Sequence, residues 1–162
     1  MLAAGGSVAA LILTGCATPG PETPARTVSG KESWSGRLAL RVEGEPSQSF
    51  AALFDLRGSA EQGTLSLTSP IGNTLALLRW TPTEALLVNG GQTRRFESVD
   101  ALVLAATGAV VPVRALFAWL DGRDEPVAGW LPDLSQLGRG RLNAVRETPS
   151  PRTELRVIFD VS

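Results

Sequence analysis

The stretch GTLSLTSPIGNTLALLRW, residues 63–80, carries the pattern that decides the fold class. Before its centre, Leu65 and Leu67 alternate with small polar residues, and after its centre Leu75 and Leu77 alternate with a second apolar set. Side chains two positions apart lie on one face of a β-strand, so each half predicts a strand. The turn residues of SPIGN separate the halves at hairpin spacing, and the whole stretch therefore predicts a β-hairpin.

The same alternation recurs on both sides of this hairpin. It is clearest near the end of the chain, where Leu155, Val157 and Phe159 share one face of a predicted strand. The short turn signals GEPSQ, GSAEQG, TPTE and NGGQ punctuate the runs, and Asn89-Gly90-Gly91 predicts a tight hairpin turn. Alternation of this kind predicts half-buried strands of an antiparallel sheet. The alternating runs are WSGRLALRVEG (34–44), SQSFAALFDLRG (47–58), RLNAVRE (141–147) and TELRVIFDVS (153–162).

Two apolar segments between the strands break the alternation and predict short helices. The first, SVDALVLAATGAVV, has a capping candidate in Ser98 and a stop signal in Gly108. The second, VPVRALFAWLDG, starts on Pro112 and stops at Gly122. Residues 123–140 are expected to form a loop before the last strands. Strands followed by inserted helices and more strands predict an α+β fold, a sheet with short helices on one face.

Composition limits the function to a few classes. The chain has 162 residues, enough for one domain, and 43% of them are apolar. A net charge of −1 with scattered arginines argues against nucleic acid as a partner. The absence of histidine excludes a Ser-His-Asp triad and imidazole ligation of zinc, and the sequence contains neither a G-x-S-x-G elbow nor a P-loop. We therefore expect no enzyme activity, no metal and no cofactor.

Three groups of residues suggest sites but have simpler explanations. The acidic trio Asp121, Asp124 and Glu125 could hold a cation, yet such a group is usually a solvated loop. The arginines of residues 139–141 could bind phosphate, although a solvated turn is the more common role. The four tryptophans could stack on ligand rings but are expected to be packed in the protein. With no tyrosine, the lining of any cavity must be mainly aliphatic, which suits alkyl chains.

The first residues are typical of an export signal. Residues 1–15 are apolar or small and are followed by Cys16, the only cysteine. The sequence LTGC resembles the bacterial lipobox, which implies that Cys16 becomes an acylated mature N-terminus; the alternative is an ordinary buried cysteine. By the sorting rules of such lipoproteins, Ala17 implies the outer membrane. Residues 16–33 are rich in Pro, Gly, Ser and Thr and predict a flexible tether. The folded domain is expected at 34–162.

The order of the motifs resembles the LolB family of outer-membrane lipoprotein receptors. The matching segments are LTGC, WSGRLALRV, FDLRGSAEQGTLSLTSPIGNTLALLRW, GGQTRRFESVDALVLAATGAVVPVRALFAWLDG and LRVIFD. The resemblance implies a curved antiparallel sheet, an incomplete barrel, whose helices cover an apolar cavity. It also implies a monomer that takes acylated lipoproteins from the periplasmic carrier LolA, holds their acyl chains and inserts them into the outer membrane from its periplasmic side.

Two sets of site residues follow from this resemblance and the strand pattern. The family has a protruding loop with an exposed leucine that promotes membrane insertion, and Ile71, between Pro70 and Gly72, aligns with it. The alternative is that the loop folds back and Ile71 packs on a strand. The residues expected to line the acyl-chain cavity lie on alternating strand faces and on the second helix: Leu38, Leu40, Phe54, Leu65, Leu67, Leu116, Trp119, Leu155, Val157 and Phe159.

Two other functions are open to the same sequence. A structural lipoprotein of this fold could bind a protein partner in an assembly, and it would not hold acylated clients. An enzyme acting on lipids is disfavoured, because the chain lacks histidine and a nucleophile motif.

Overall fold

The computed structural model describes residues 33–161, which form one antiparallel sheet with two helices. The nine strands lie in the order β6-β5-β4-β3-β2-β1-β9-β8-β7, and β6 and β7 are the two edges of an open sheet. This confirms the α+β fold. The strands are β1 Ser33–Val42, β2 Gln48–Gly58, β3 Gly63–Thr68, β4 Thr74–Thr81, β5 Glu84–Asn89, β6 Gln92–Phe96, β7 Trp130–Asp133, β8 Arg141–Arg146 and β9 Thr153–Phe159; the helices are α1 Val99–Thr107 and α2 Val113–Leu120.

The chain connectivity explains how the two ends of the sequence meet in the sheet. Strands β1 to β6 form a meander of hairpins, the two helices follow, and β7 to β9 return so that β9 pairs with β1. The register places Leu40 opposite Leu155 and Leu38 opposite Val157. The predicted turn at Asn89 is confirmed, because Gly90 and Gly91 join β5 to β6 with φ values of 56° and 78°.

Local hydrogen bonds fix both helices. The Ser98 hydroxyl accepts a hydrogen bond from the Ala101 N–H at 3.1 Å, which caps α1, and Gly108 ends the helix in a left-handed conformation with φ of 78°. The Asp100 carboxylate accepts a hydrogen bond from the Val113 N–H at 3.1 Å. The first turn of α1 therefore caps the N-terminus of α2, which has no side-chain cap from its own N-cap residue.

The helices cover one face of the sheet, which we call the inner face. The Phe117 ring of α2 packs edge-to-face against Trp34, with centroids 5.6 Å apart, and against Trp80 at 6.2 Å. The Trp119 ring lies 6.0 Å from that of Trp130. All four tryptophans are buried, so their expected packing role is confirmed. The opposite, outer face of the sheet is not covered by α1 or α2 and carries the polar halves of the alternating strands.

Some boundaries differ from the sequence prediction. The segment 123–140, predicted as loop, contains β7 and a 3₁₀ helix at Leu137–Arg139. The pattern of β7 is hard to detect because the strand is four residues long and contains Pro132. Helix α1 ends at Thr107, which agrees with the stop signal at Gly108, and Val110 and Val111, grouped with the first apolar segment, lie in the connection to α2. Strand β1 begins at Ser33, one residue before the expected domain boundary.

Candidate functional site

The alternating strand residues expected to line a cavity all lie on the inner face. The register pairs Phe54 with Leu67 and Leu56 with Leu65 across β2 and β3. The core packed against the helices contains seven of these strand residues, and Leu38 packs against it while only partly buried. The seven buried residues are Leu40, Phe54, Leu65, Leu67, Leu155, Val157 and Phe159. Their inner-face position fits the expected lining, and contact with an acyl chain stays a prediction.

The two helical residues of the predicted lining differ in their accessibility. Trp119 has 0% exposed surface, and its indole N–H donates a hydrogen bond to the Glu125 carbonyl at 2.9 Å. No water-sized space therefore touches Trp119 in this structure, and a bound chain would reach it only after neighbouring side chains move. Leu116 is partly buried at the edge of the same core and keeps accessible apolar surface.

The accessible part of the inner face includes residues that the sequence prediction left out. Val42 and Phe50 are partly buried and pack against the core, as Leu38 does. Phe50 pairs with Leu40 across β1 and β2, so these side chains lie at one end of the inner face. Along β1, Val42 lies on the same face as Leu38, and along β2, Phe50 lies on the same face as Phe54. The alternation of the sequence could therefore have identified both as inner-face residues.

The loop between β3 and β4, residues 69–73, is closed by three hydrogen bonds that start or end at Ser69. The Gly72 N–H donates to the Ser69 carbonyl at 2.9 Å, and the Ser69 N–H donates to the Asn73 carbonyl at 2.8 Å. The Asn73 N–H also donates to the Ser69 hydroxyl at 3.1 Å. Pro70 follows the first turn position, where its fixed φ is favourable. Gly72 has φ of 91°, a conformation that side chains with a Cβ rarely adopt.

This closed loop presents Ile71 to solvent. The Ile71 side chain is 84% exposed, the highest value among the large exposed apolar residues of the described chain. The alternative in which the loop folds back and Ile71 packs on a strand is therefore wrong for this structure. Single apolar side chains are often exposed on protein surfaces, so the exposure shows only that Ile71 is free to contact a partner outside the folded domain.

The charged groups whose pKa is shifted lie on the protein surface, whereas Arg146 is at the inner face, 5.9 Å from the ring centroid of the buried Trp130. The pKa of Asp133 is lowered by hydrogen bonds from the Ser135 side chain and backbone, and the pKa of Arg152 is raised by its hydrogen bonds to Glu147 and Glu43. All of these groups are on the protein surface. Between residues 33 and 161, no three acidic, cysteine or histidine side chains are grouped closely enough to hold a metal ion.

The predicted lipidation site, Cys16, lies outside the described residues, as do the expected signal peptide and nearly all of the tether. Within the part of the chain that the structure describes, no helix has the length and apolar character needed to cross a membrane.

Comparison with known proteins identifies the family. The family model described as "Outer membrane lipoprotein LolB" matches residues 32–149. The chain belongs to the LolB family. A protein of Bordetella petrii named outer-membrane lipoprotein LolB is 36% identical over 126 residues, which cover 74% of this chain and 62% of that protein. A protein of the same name from Halorhodospira halophila is 36% identical over 129 residues, 73% of this chain and 62% of its own length.

A third LolB protein, from Neisseria meningitidis, is 37% identical over 95 residues, 58% of this chain and 47% of that protein. The matched region thus spans about 62% of the length of the first two relatives. The family match begins just before β1 and continues through β8, so it includes the 69–73 loop and both helices.

Proposed function

We propose that this LolB-family protein receives acylated lipoproteins from the periplasmic carrier LolA and inserts them into the outer membrane. In this proposal the acyl chains of the client bind against the inner face, under the helices. An acylated Cys16 anchors the protein, and the 69–73 loop contacts the bilayer. The observation that carries the proposal is the 84% exposure of Ile71 on a loop closed by its own hydrogen bonds.

The inner face has the chemistry that an acyl chain requires. Its buried residues are aliphatic or aromatic, and Thr153 is the one polar residue among the buried side chains of the described chain. An alkyl chain forms no directional bonds, so it needs apolar surface and room rather than placed polar groups. The partly buried Leu38, Phe50 and Leu116 offer such surface without unfolding the core.

Energetics favour direct handover between apolar sites. Each CH₂ group moved from hydrocarbon into water costs about 0.8 kcal/mol, so exposing even one acyl chain costs roughly 10 kcal/mol. Transfer from one apolar site to another avoids that cost, because the chain leaves one hydrocarbon-like environment as it enters the next. A receptor that holds its cavity close to the bilayer therefore lowers the barrier to release without using covalent chemistry.

The exposed loop is suited to hold the domain in such a position. Full burial of one isoleucine side chain contributes about 1.5–3 kcal/mol. That is too weak to anchor the domain, which we assign to acyl chains on Cys16, but sufficient to bias its orientation at the membrane. The hydrogen bonds of Ser69 and the restricted φ of Pro70 limit the conformational entropy that the loop loses on insertion.

The test is a binding assay with one client lipoprotein in two forms. The acylated form, presented on LolA, should transfer to this protein and co-purify with it. The same client with its lipidated cysteine replaced should not co-purify. Equal binding of both forms would refute the acyl-chain function and favour the alternative, an assembly lipoprotein that recognises the protein part of its partner.

A further inference from the structure

A shallow apolar groove on the outer face lies directly beside the 69–73 loop. Ala39 and Ala51, which pair across β1 and β2, line it with small side chains, and Leu53 and Ile158 line it from the neighbouring row. Pro70 lines the same groove, which has a volume of about 270 Å³. Ile158 is 54% exposed. We call this feature the outer groove.

Arginines surround the outer groove, and several have no partner. Arg37 of β1 pairs with Leu53 of β2 on one side and with Ile158 of β9 on the other, and its side chain lines the groove. Arg141 pairs with Ile158 from β8, and Arg41 follows Ala39 on the same face of β1. Within residues 33–161, none of these three arginines makes an ion pair or a side-chain hydrogen bond.

The nearby carboxylates make their closest contacts with other groups, and Asp160, beside Ile158, accepts a hydrogen bond from the Ser35 hydroxyl at 3.4 Å. Asp55 lies 2.6 Å from the Arg57 guanidinium, and Glu154 lies 2.7 Å from that of Arg156, which also lines the groove. The surface beside the loop therefore combines exposed apolar side chains with more arginines than carboxylates. A complementary partner is anionic and has apolar groups next to its charge.

We propose that the outer groove and Arg37, Arg41 and Arg141 bind the phosphate groups of membrane lipids when Ile71 enters the acyl layer. This inference rests on the proposed function, since it specifies how the same loop meets the bilayer. Guanidinium groups bind phosphate with two parallel hydrogen bonds, and their apolar stems pack beside hydrocarbon. Because Pro70 belongs to the groove and Ile71 to the loop tip, one membrane surface can contact both, which would fix the orientation of the domain.

A fluorescent label in the 69–73 loop tests this proposal. The full chain carrying Cys16→Ala has no thiol, so Asn73→Cys introduces a unique site for an environment-sensitive dye in the exposed loop and leaves Ile71 in place. Vesicles of phosphatidylethanolamine with phosphatidylglycerol are titrated into the labelled protein, and the blue shift of the dye reports entry into the bilayer. Vesicles of neutral phosphatidylcholine provide the comparison without net surface charge.

The arginine variants are compared with a matched control on another surface. One arginine near an anionic membrane changes binding by about fivefold. Arg37→Gln with Arg141→Gln should therefore raise the lipid concentration at half-maximal shift by roughly 25-fold. Arg114→Gln, an exposed arginine on α2, should leave it unchanged. The difference should become smaller, but persist, on neutral vesicles, whose phosphatidylcholine still offers phosphate groups, and it should shrink at high salt. Circular dichroism checks that each variant is folded.

The outcomes separate the two proposals. If the double variant and its parent show the blue shift at the same lipid concentration, the phosphate contact is wrong and loop insertion still stands. A loss of about fivefold in Arg114→Gln, the effect of one arginine, would also overturn it, because net charge alone would then explain the result. No blue shift in any protein would refute loop insertion itself. If the double variant binds vesicles normally but receives clients poorly from LolA, the groove is a protein-docking surface and the lipid contact is wrong.

Discussion

Replacing Ile71 with glutamate should separate the reception of clients from their delivery. The side chain is 84% exposed and contributes almost no packing, so we expect the free energy of unfolding to change by less than about 0.5 kcal/mol. The inner face lies under the helices, away from the loop tip, and reception from LolA should therefore proceed at the rate of the original protein.

Delivery should fall by a calculable factor. The variant loses the 1.5–3 kcal/mol of apolar burial that one isoleucine can contribute, which corresponds to about tenfold to about 150-fold in occupancy of the inserted state. The cost of bringing a carboxylate towards hydrocarbon adds to this loss. Ile71→Leu keeps the apolar surface and should deliver clients at nearly the original rate.

The assay scores the two steps in sequence. Acylated client on LolA is mixed with each variant, the receptor–client complex is isolated, and liposomes are then added. The rate at which client appears in the liposome fraction is compared among Ile71, Ile71→Leu and Ile71→Glu. Delivery by Ile71→Glu at the original rate would refute the insertion mechanism, because the exposed isoleucine would then have no role at the membrane.

Three further changes test other parts of the proposal. Cys16→Ala should leave a protein that is either soluble in the periplasm or unprocessed, and mass spectrometry of the mature N-terminus of the original protein should find acyl chains; an unmodified Cys16 would contradict the anchor. Leu38→Glu should lower client uptake, because a charge on the accessible part of the inner face is costly to desolvate. Ser49→Glu, on the outer face, should leave client uptake unchanged. Equal client uptake by both folded variants would exclude Leu38 from the lining. Ser98→Ala should lower the free energy of unfolding by about 0.5–2 kcal/mol in chemical denaturation, since it removes the α1 cap, and no change would show that the Ala101 N–H finds another acceptor.

The sheet was predictable because its strands bury one face and expose the other. This arrangement produces the alternation around residues 63–80, and a slip of one residue would exchange the faces. The prediction failed at β7, where Trp130 is buried but Leu131 is 67% exposed at the sheet edge. An exposed leucine and Pro132 in a four-residue strand leave no readable alternation.

The candidate site was predictable in its position but not in its accessibility. Alternation placed Leu38 and Leu40 on the inner face, yet Leu38 keeps accessible surface while Leu40 is 4% exposed. That difference depends on where α1 and α2 pack on the sheet, which is set by contacts between residues distant in sequence. The arrangement of unpaired arginines beside the loop could not be predicted either, because β1, β8 and β9 become neighbours only in the folded sheet.

Site-specific photo-crosslinking gives the most direct test of the claim that the inner face holds acyl chains. A photoreactive amino acid replaces Leu38 on the inner face or Ser49 on the outer face, and each protein is loaded with acylated client from LolA. We predict crosslinks between residue 38 and the acyl chains, identified by mass spectrometry, and none from residue 49. Loaded, folded protein that crosslinks to acyl chains from residue 49 but not from residue 38 would contradict the account.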